Sequence, residues 1–126
     1  EIFIEDLDKR MDDRANWILE AENHIQVIIQ LQEPEYVLQS IESLADALVV
    51  FYDELASVPP PKNFTLAQRE IFKEEMSKRG RVLLEKALGY YQLADRFGNG
   101  LAWQGEDHLQ IGNKVAVLQR ELLMLP

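Results

Sequence analysis

The sequence predicts an all-α fold of about four long, antiparallel amphipathic helices, as either tetratricopeptide-like hairpins or a four-helix bundle. Apolar residues recur three and four apart over most of its 126 residues. Proline, threonine and glycine interrupt that rhythm where helices begin and end. The first two apolar runs are separated only by Gln32-Glu33, too short a link for anything but an antiparallel hairpin.

The first helix is expected over residues 3–32. Ile4, Leu7, Met11, Ile18, Ile25 and Ile28 keep helical spacing there, with Arg14 and Ala21 filling the weaker positions of the stripe. The second, over 34–58, is the clearest. Val37, Ile41, Leu44, Leu48, Phe51, Leu55 and Val58 follow one another at alternating steps of four and three, and Leu38, Ala45 and Tyr52 widen the stripe. Pro34 stands where a first-turn proline belongs, with Glu35 beside it at the positive end of the helix dipole. Val58-Pro59-Pro60-Pro61 stops the helix and begins a stiff connector over 59–64.

Thr65-Leu66-Ala67-Gln68 has the form of a capping box and opens the third helix, expected over 65–98. Its stripe is Phe72, Met76, Gly80, Leu83, Ala87, Tyr90, Ala94 and Phe97, and Gly98-Asn99-Gly100 supplies residues that accept the left-handed conformation at its end. At 1.5 Å per residue this helix is roughly 50 Å long. The fourth, over 106–124, carries Ile111, Val115, Leu118, Leu122 and Leu125. Gly105 and Gly112 weaken its start by about 1 kcal/mol each relative to alanine; they share a face and would permit close approach to a neighbour, or simply a frayed start. Leu44, Leu48, Phe51, Leu83 and Ala87 are expected in the core. The whole reads as a single domain, hairpin 3–58 and hairpin 65–125, and the start at Glu1 suits a mature product or a piece of a larger helical-repeat protein.

Charge divides the chain unevenly. Residues 1–58 hold 14 acids and 3 bases, net −11, and residues 59–126 hold 8 acids and 10 bases, net +2, for −9 in all. Such a field repels nucleic acid and anionic lipid, and no run is apolar enough to span a membrane. No signal-peptide pattern appears. The absence of cysteine excludes disulfides, thiolate metal sites and cysteine nucleophiles.

Catalytic patterns are missing. A carboxylate-bridged dimetal bundle needs Glu three residues before each ligand histidine, but Ala21 precedes His24 and Gly105 precedes His108. Glu20 with His24, and Glu106-Asp107-His108, are loose alternatives best read as surface polar residues. Ser40, Ser43 and Ser57 lie in no nucleophile-elbow setting, and Gly98-Asn99-Gly100 lacks the strand and lysine of a phosphate loop. Lys78-Arg79-Gly80-Arg81 has Glu74, Glu75 and Glu85 within a turn and reads as salt-bridged surface. No enzyme activity, cofactor or metal is expected.

Trp17, Tyr36, Tyr91 and Trp103 fall beside the core stripes, where they are either half-buried edge residues or contacts for a protein partner. The acidic first half would favour a basic partner surface, and self-association through it is a further option.

The stretch Ile41 to Tyr91 resembles a region of tetratricopeptide-repeat proteins of the myxobacterial and related deltaproteobacterial type. It shares Leu55-Ala56-Ser57-Val58-Pro59-Pro60, then Gln68-Arg69-Glu70-Ile71-Phe72, then Lys86-Ala87 followed by Tyr91, with Asn99, Trp103, Leu118, Leu122 and Pro126 closing the match. The 34-residue repeat signature is met at Ala47, Phe51 and Pro59, while Leu31 and Pro34 stand where Trp and Leu belong. The resemblance implies a scaffold within a larger bacterial helical-repeat protein, in the cytoplasm or the envelope, often in motility assemblies, with no catalytic residue. The expected function is therefore a non-enzymatic interaction scaffold. The alternative is a self-contained four-helix bundle holding a metal or small ligand in its interior. That alternative needs polar groups on the inward stripes, and Arg14 is the main one they offer.

Overall fold

The computed structural model describes residues 2–30, 34–100 and 106–125, which form four α-helices and, among those residues, no strand. They are α1 (Ile2–Gln30), α2 (Pro34–Ala56), α3 (Leu66–Gly100) and α4 (Glu106–Met124). The link 31–33 and the stretch 101–105, with Trp103 and Gly105, lie outside the described residues, as do the side chains of Ile4, Asn99 and His108.

Local chemistry sets the observed ends. Pro34 is the first residue of α2, where its missing N–H costs nothing. The helix stops at Ala56, two residues short of the expected end, because Pro59 disfavours helical dihedrals at Val58. There the Ser57 amide and hydroxyl both donate to the Asp53 carbonyl, at 3.2 and 2.8 Å. Thr65 caps α3 reciprocally: its amide donates to Gln68 Oε1 at 2.9 Å, and the Gln68 amide donates to Thr65 Oγ1 at 3.2 Å. At its far end α3 runs through Gly98 to Gly100 rather than stopping at Gly98. Glycine accepts helical as well as left-handed dihedrals, so a Gly-Asn-Gly run permits a stop without imposing one.

The helices pack in chain order, α1 on α2, α2 on α3 and α3 on α4, with the α2–α3 contact the most extensive. Among the described residues α1 and α4 share no extensive contact. α2 is the centre of the core: Val37, Leu38, Ile41, Leu44, Ala45, Leu48, Phe51 and Leu55 are all buried. A fully buried leucine such as Leu48 contributes about 1.5–3 kcal/mol of transfer free energy. α1 adds Leu7, Ile18 and Ile25, and α4 adds Ile111 and Leu118. Among the described residues no charged side chain is buried.

α3 corrects the expected stripe. Its buried row is Gly80, Leu84, Ala87, Tyr91 and Ala94, and Leu83, Tyr90 and Phe97 are only partly buried against it. Both rows share Gly80, Ala87 and Ala94, so steps of three and four fit either one. Packing chooses the Leu84–Tyr91 row because α3 is covered by α2 and α4 together. The close approach also falls elsewhere than expected. A Cβ on Gly80 would lie 3.0 and 3.1 Å from carbons of the Tyr52 ring, whereas one on Gly112 would meet only Asp95 Oδ1 at 4.0 Å.

Candidate interaction surface

α1 and α2 form the acidic hairpin, and their shared outer side carries two of the four aromatic residues singled out by sequence. Trp17 is 53% exposed and Tyr36 56% exposed. Tyr91 is corrected: it is 3% exposed and belongs to the core, because the buried row of α3 passes through it. Trp103 lies outside the described residues.

Arg14 sets the level of α1 against α2. It lies 46% exposed, donates through Nη2 to both oxygens of Glu54 at 2.7 and 2.5 Å, and sits 5.9 Å from the Phe51 ring centroid. From that level, helical rise places Tyr36 about 20 Å further along the hairpin than Trp17. The two aromatics therefore do not form one patch by themselves. Val50, exposed on α2 at nearly the level of Trp17, adds apolar surface at that end. Beside Val50 a cleft of about 820 Å³ opens between the first half of α1 and the last half of α2. Leu7, Met11, Phe51 and Leu55 line it, and its charged groups are of both signs, Arg10 and Arg14 beside Asp13, Asp53 and Glu54. An apolar trough rimmed by both signs of charge suits an apolar segment flanked by polar residues.

Two polar clamps, which the sequence reading missed, hold the hairpins to each other. The adjacent tyrosines of α3 point to different neighbours. Tyr91 donates its hydroxyl to Asp46 of α2, and Lys114 of α4 donates to Asp46 and Glu42, each at 2.9 Å, while lying 5.5 Å from the Tyr91 ring centroid. Tyr90 donates to Glu22 of α1, and Lys86 Nζ lies 3.7 Å from the same carboxylate. Burial raises the Tyr91 phenol above its ordinary value, and the hydrogen bond and charge of Asp46, with the charge of Glu42, raise it further. Tyr90 is raised by burial and then by Glu22. Burial alone would lower Lys114, but its hydrogen bonds to Asp46 and Glu42 outweigh that and leave it raised. The only prior signal was the pair Tyr90-Tyr91 itself, since two consecutive helical residues point about 100° apart.

The basic run of α3 is tied into its surroundings, Arg79 to Glu75 at 3.3 Å and to Asp8 at 3.9 Å, and Arg81 to Glu85 at 3.9 Å. His24 is exposed, and among the described residues no three of His, Asp and Glu gather to hold a metal ion. No described helix is long and apolar enough to cross a membrane. No family model, curated protein or solved structure matches the chain.

Proposed function

We propose that this chain is a non-catalytic scaffold of stacked helical hairpins that binds a protein partner through the outer side of its acidic hairpin. The observation that carries the reading is the order of packing. Each helix packs on its chain neighbour, α1 and α4 make no extensive contact among the described residues, and both outermost helices keep an open side. Hairpins added one after another pack in this way, whereas a closed four-helix bundle also joins its first helix to its last. The resemblance to bacterial tetratricopeptide-repeat proteins points the same way. The alternative, a bundle with an interior ligand or metal, requires inward polar groups. The described core buries no charged residue, its one inward hydroxyl, that of Tyr91, is donated to Asp46, and Arg14, the one polar residue on the α1 stripe, lies at the surface on Glu54.

Trp17, Tyr36 and the cleft between α1 and α2 form the proposed contact surface, and the excess of acid there selects a partner with a basic face. Affinity capture with the intact chain, with Trp17→Ala and with Tyr36→Ala, tests this. Capture should fall at least tenfold in one of the variants while the helical circular dichroism is unchanged, and it should weaken as salt rises. Capture unaffected by both substitutions would remove the surface from this reading, and salt-independent capture would remove the basic partner.

A further inference from the structure

We infer that copies of this chain associate head to tail, the outer side of α4 on one copy packing against the outer side of α1 on the next. This inference rests on the hairpin-stacking reading but not on the Trp17–Tyr36 surface, which faces the α2 side of the hairpin.

Each outermost helix leaves one side uncovered. On α4, Ile111 and Leu118 face the core and Lys114 reaches α2. The opposite side therefore holds Ala116, Val117, Arg120, Leu123 and Met124. Val117, Leu123 and Met124 are 50%, 87% and 80% exposed, and Ala116 and Arg120 are exposed as well. Burial, and then the nearby charge of Glu121, raises the Tyr52 phenol of α2, so Glu121 lies toward α2. Arg120 is thus the charge left at the centre of the outer apolar stripe. On α1, Ile18 and Ile25 face the core, and the opposite side holds Asn16, Leu19, Glu20 and Val27, all exposed, with Asp12 a turn earlier.

Both stripes expose apolar residues, and their charges are opposite. On α4 an arginine stands among Val117, Leu123 and Met124, and on α1 two acids accompany Leu19 and Val27. The contact between them would repeat the packing of α2 on α3, by which the first hairpin already sits on the second within one chain. Charge also selects this arrangement over a two-fold one. Pairing acidic hairpins would set a half of net −11 against another of −11, while head-to-tail packing sets −11 against +2. Because the interface is heterologous, it does not close at a dimer.

Sedimentation velocity over a concentration series tests the inference. It should be run near physiological ionic strength, where the Debye length is about 8 Å and the repulsion between chains of net charge −9 is largely screened. The wild-type sedimentation coefficient should rise with concentration beyond the dimer value. Glu20→Lys alone and Arg120→Glu alone should each lose that rise, with helical circular dichroism intact since both positions are exposed. An equimolar mixture of the two should regain it, because both kinds of junction between unlike copies are complementary. In one the original arginine meets the original glutamate, and in the other the two introduced charges meet. Trp17→Ala should associate like the wild type. Wild type that stays monomeric, or that stops at a dimer, would overturn the inference. So would single variants that still associate, or a mixture that recovers nothing. None of those results bears on the capture test, so the two readings fail separately.

Discussion

At position 80 an added Cβ would come within 3.0 Å of the Tyr52 ring, and at position 89 it would meet nothing within 4 Å. The two glycines sit in the same helix, so intrinsic propensity treats them alike while packing does not. Gly89→Ala should stabilise the fold by about 1 kcal/mol, the usual helical difference between the two residues. Gly80→Val should destabilise it by about 1–3 kcal/mol, because the branched side chain drives Tyr52 off and parts α3 from α2. Urea denaturation of both variants checks this, and a stabilising Gly80→Val would mean that the ring yields freely. Single residues also show where sequence reasoning reaches its limit. Leu44, Leu48, Phe51 and Ala87 are buried as expected, whereas Leu83 gives its place to Leu84 and Tyr91 moves from surface to core. A leucine pair and a tyrosine pair occupy the disputed positions of α3, so hydrophobicity alone cannot rank one row above the other.

Among the elements, α2 was legible almost completely, since its stripe is unbroken and its ends are marked by Pro34 and Pro59. α3 had a legible start at its capping box, but its register depended on two further helices covering it. The clamps that join elements were hidden because they unite residues distant in sequence, such as Tyr90 with Glu22 and Lys114 with Glu42. Their chemistry predicts how stability responds to alkali. Tyr52, Tyr90 and Tyr91 all have phenols raised above 10.0, and Lys114 is raised above 10.5. Above those ordinary values the unfolded chain releases protons that the folded chain keeps, so the folded state binds more protons and stability falls as pH rises. Below them both states hold their protons and the contribution is constant. Stability measured by urea midpoint should therefore hold to about pH 9.5 and decline above it. Tyr91→Phe should make that decline shallower while losing about 1 kcal/mol near neutrality for its hydrogen bond. An alkaline slope identical in the variant would show that Tyr91 does not sense Asp46 in this way.

Among the described residues, the first half of α1 is held less tightly than α2 and the second half of α3. From residue 7 onward α1 buries Leu7, Ile18 and Ile25, and Leu7 stands apart from the main core cluster. Between Leu7 and Ile18 only Met11 adds partial apolar contact. Clefts of about 820 and 560 Å³ flank this half of the helix, one against α2 and one against α3. Two ion pairs that cross from it, Arg14 with Glu54 and Asp8 with Arg79, are exposed, and such pairs each contribute at most about 1 kcal/mol. The second half is fastened better, by Ile18, Ile25 and the Glu22–Tyr90 clamp. Opening of residues 8–17 thus exposes little apolar surface and costs much less than global unfolding. Native-state hydrogen exchange in low urea should find these amides exchanging first, with weak dependence on urea, while amides of α2 near Leu44 and Leu48 exchange only through global unfolding. If instead α1 and α2 exchange with one common free energy and one urea dependence, the start of α1 is docked as firmly as the core. The outer side of the acidic hairpin would then be a rigid surface rather than one with a movable edge.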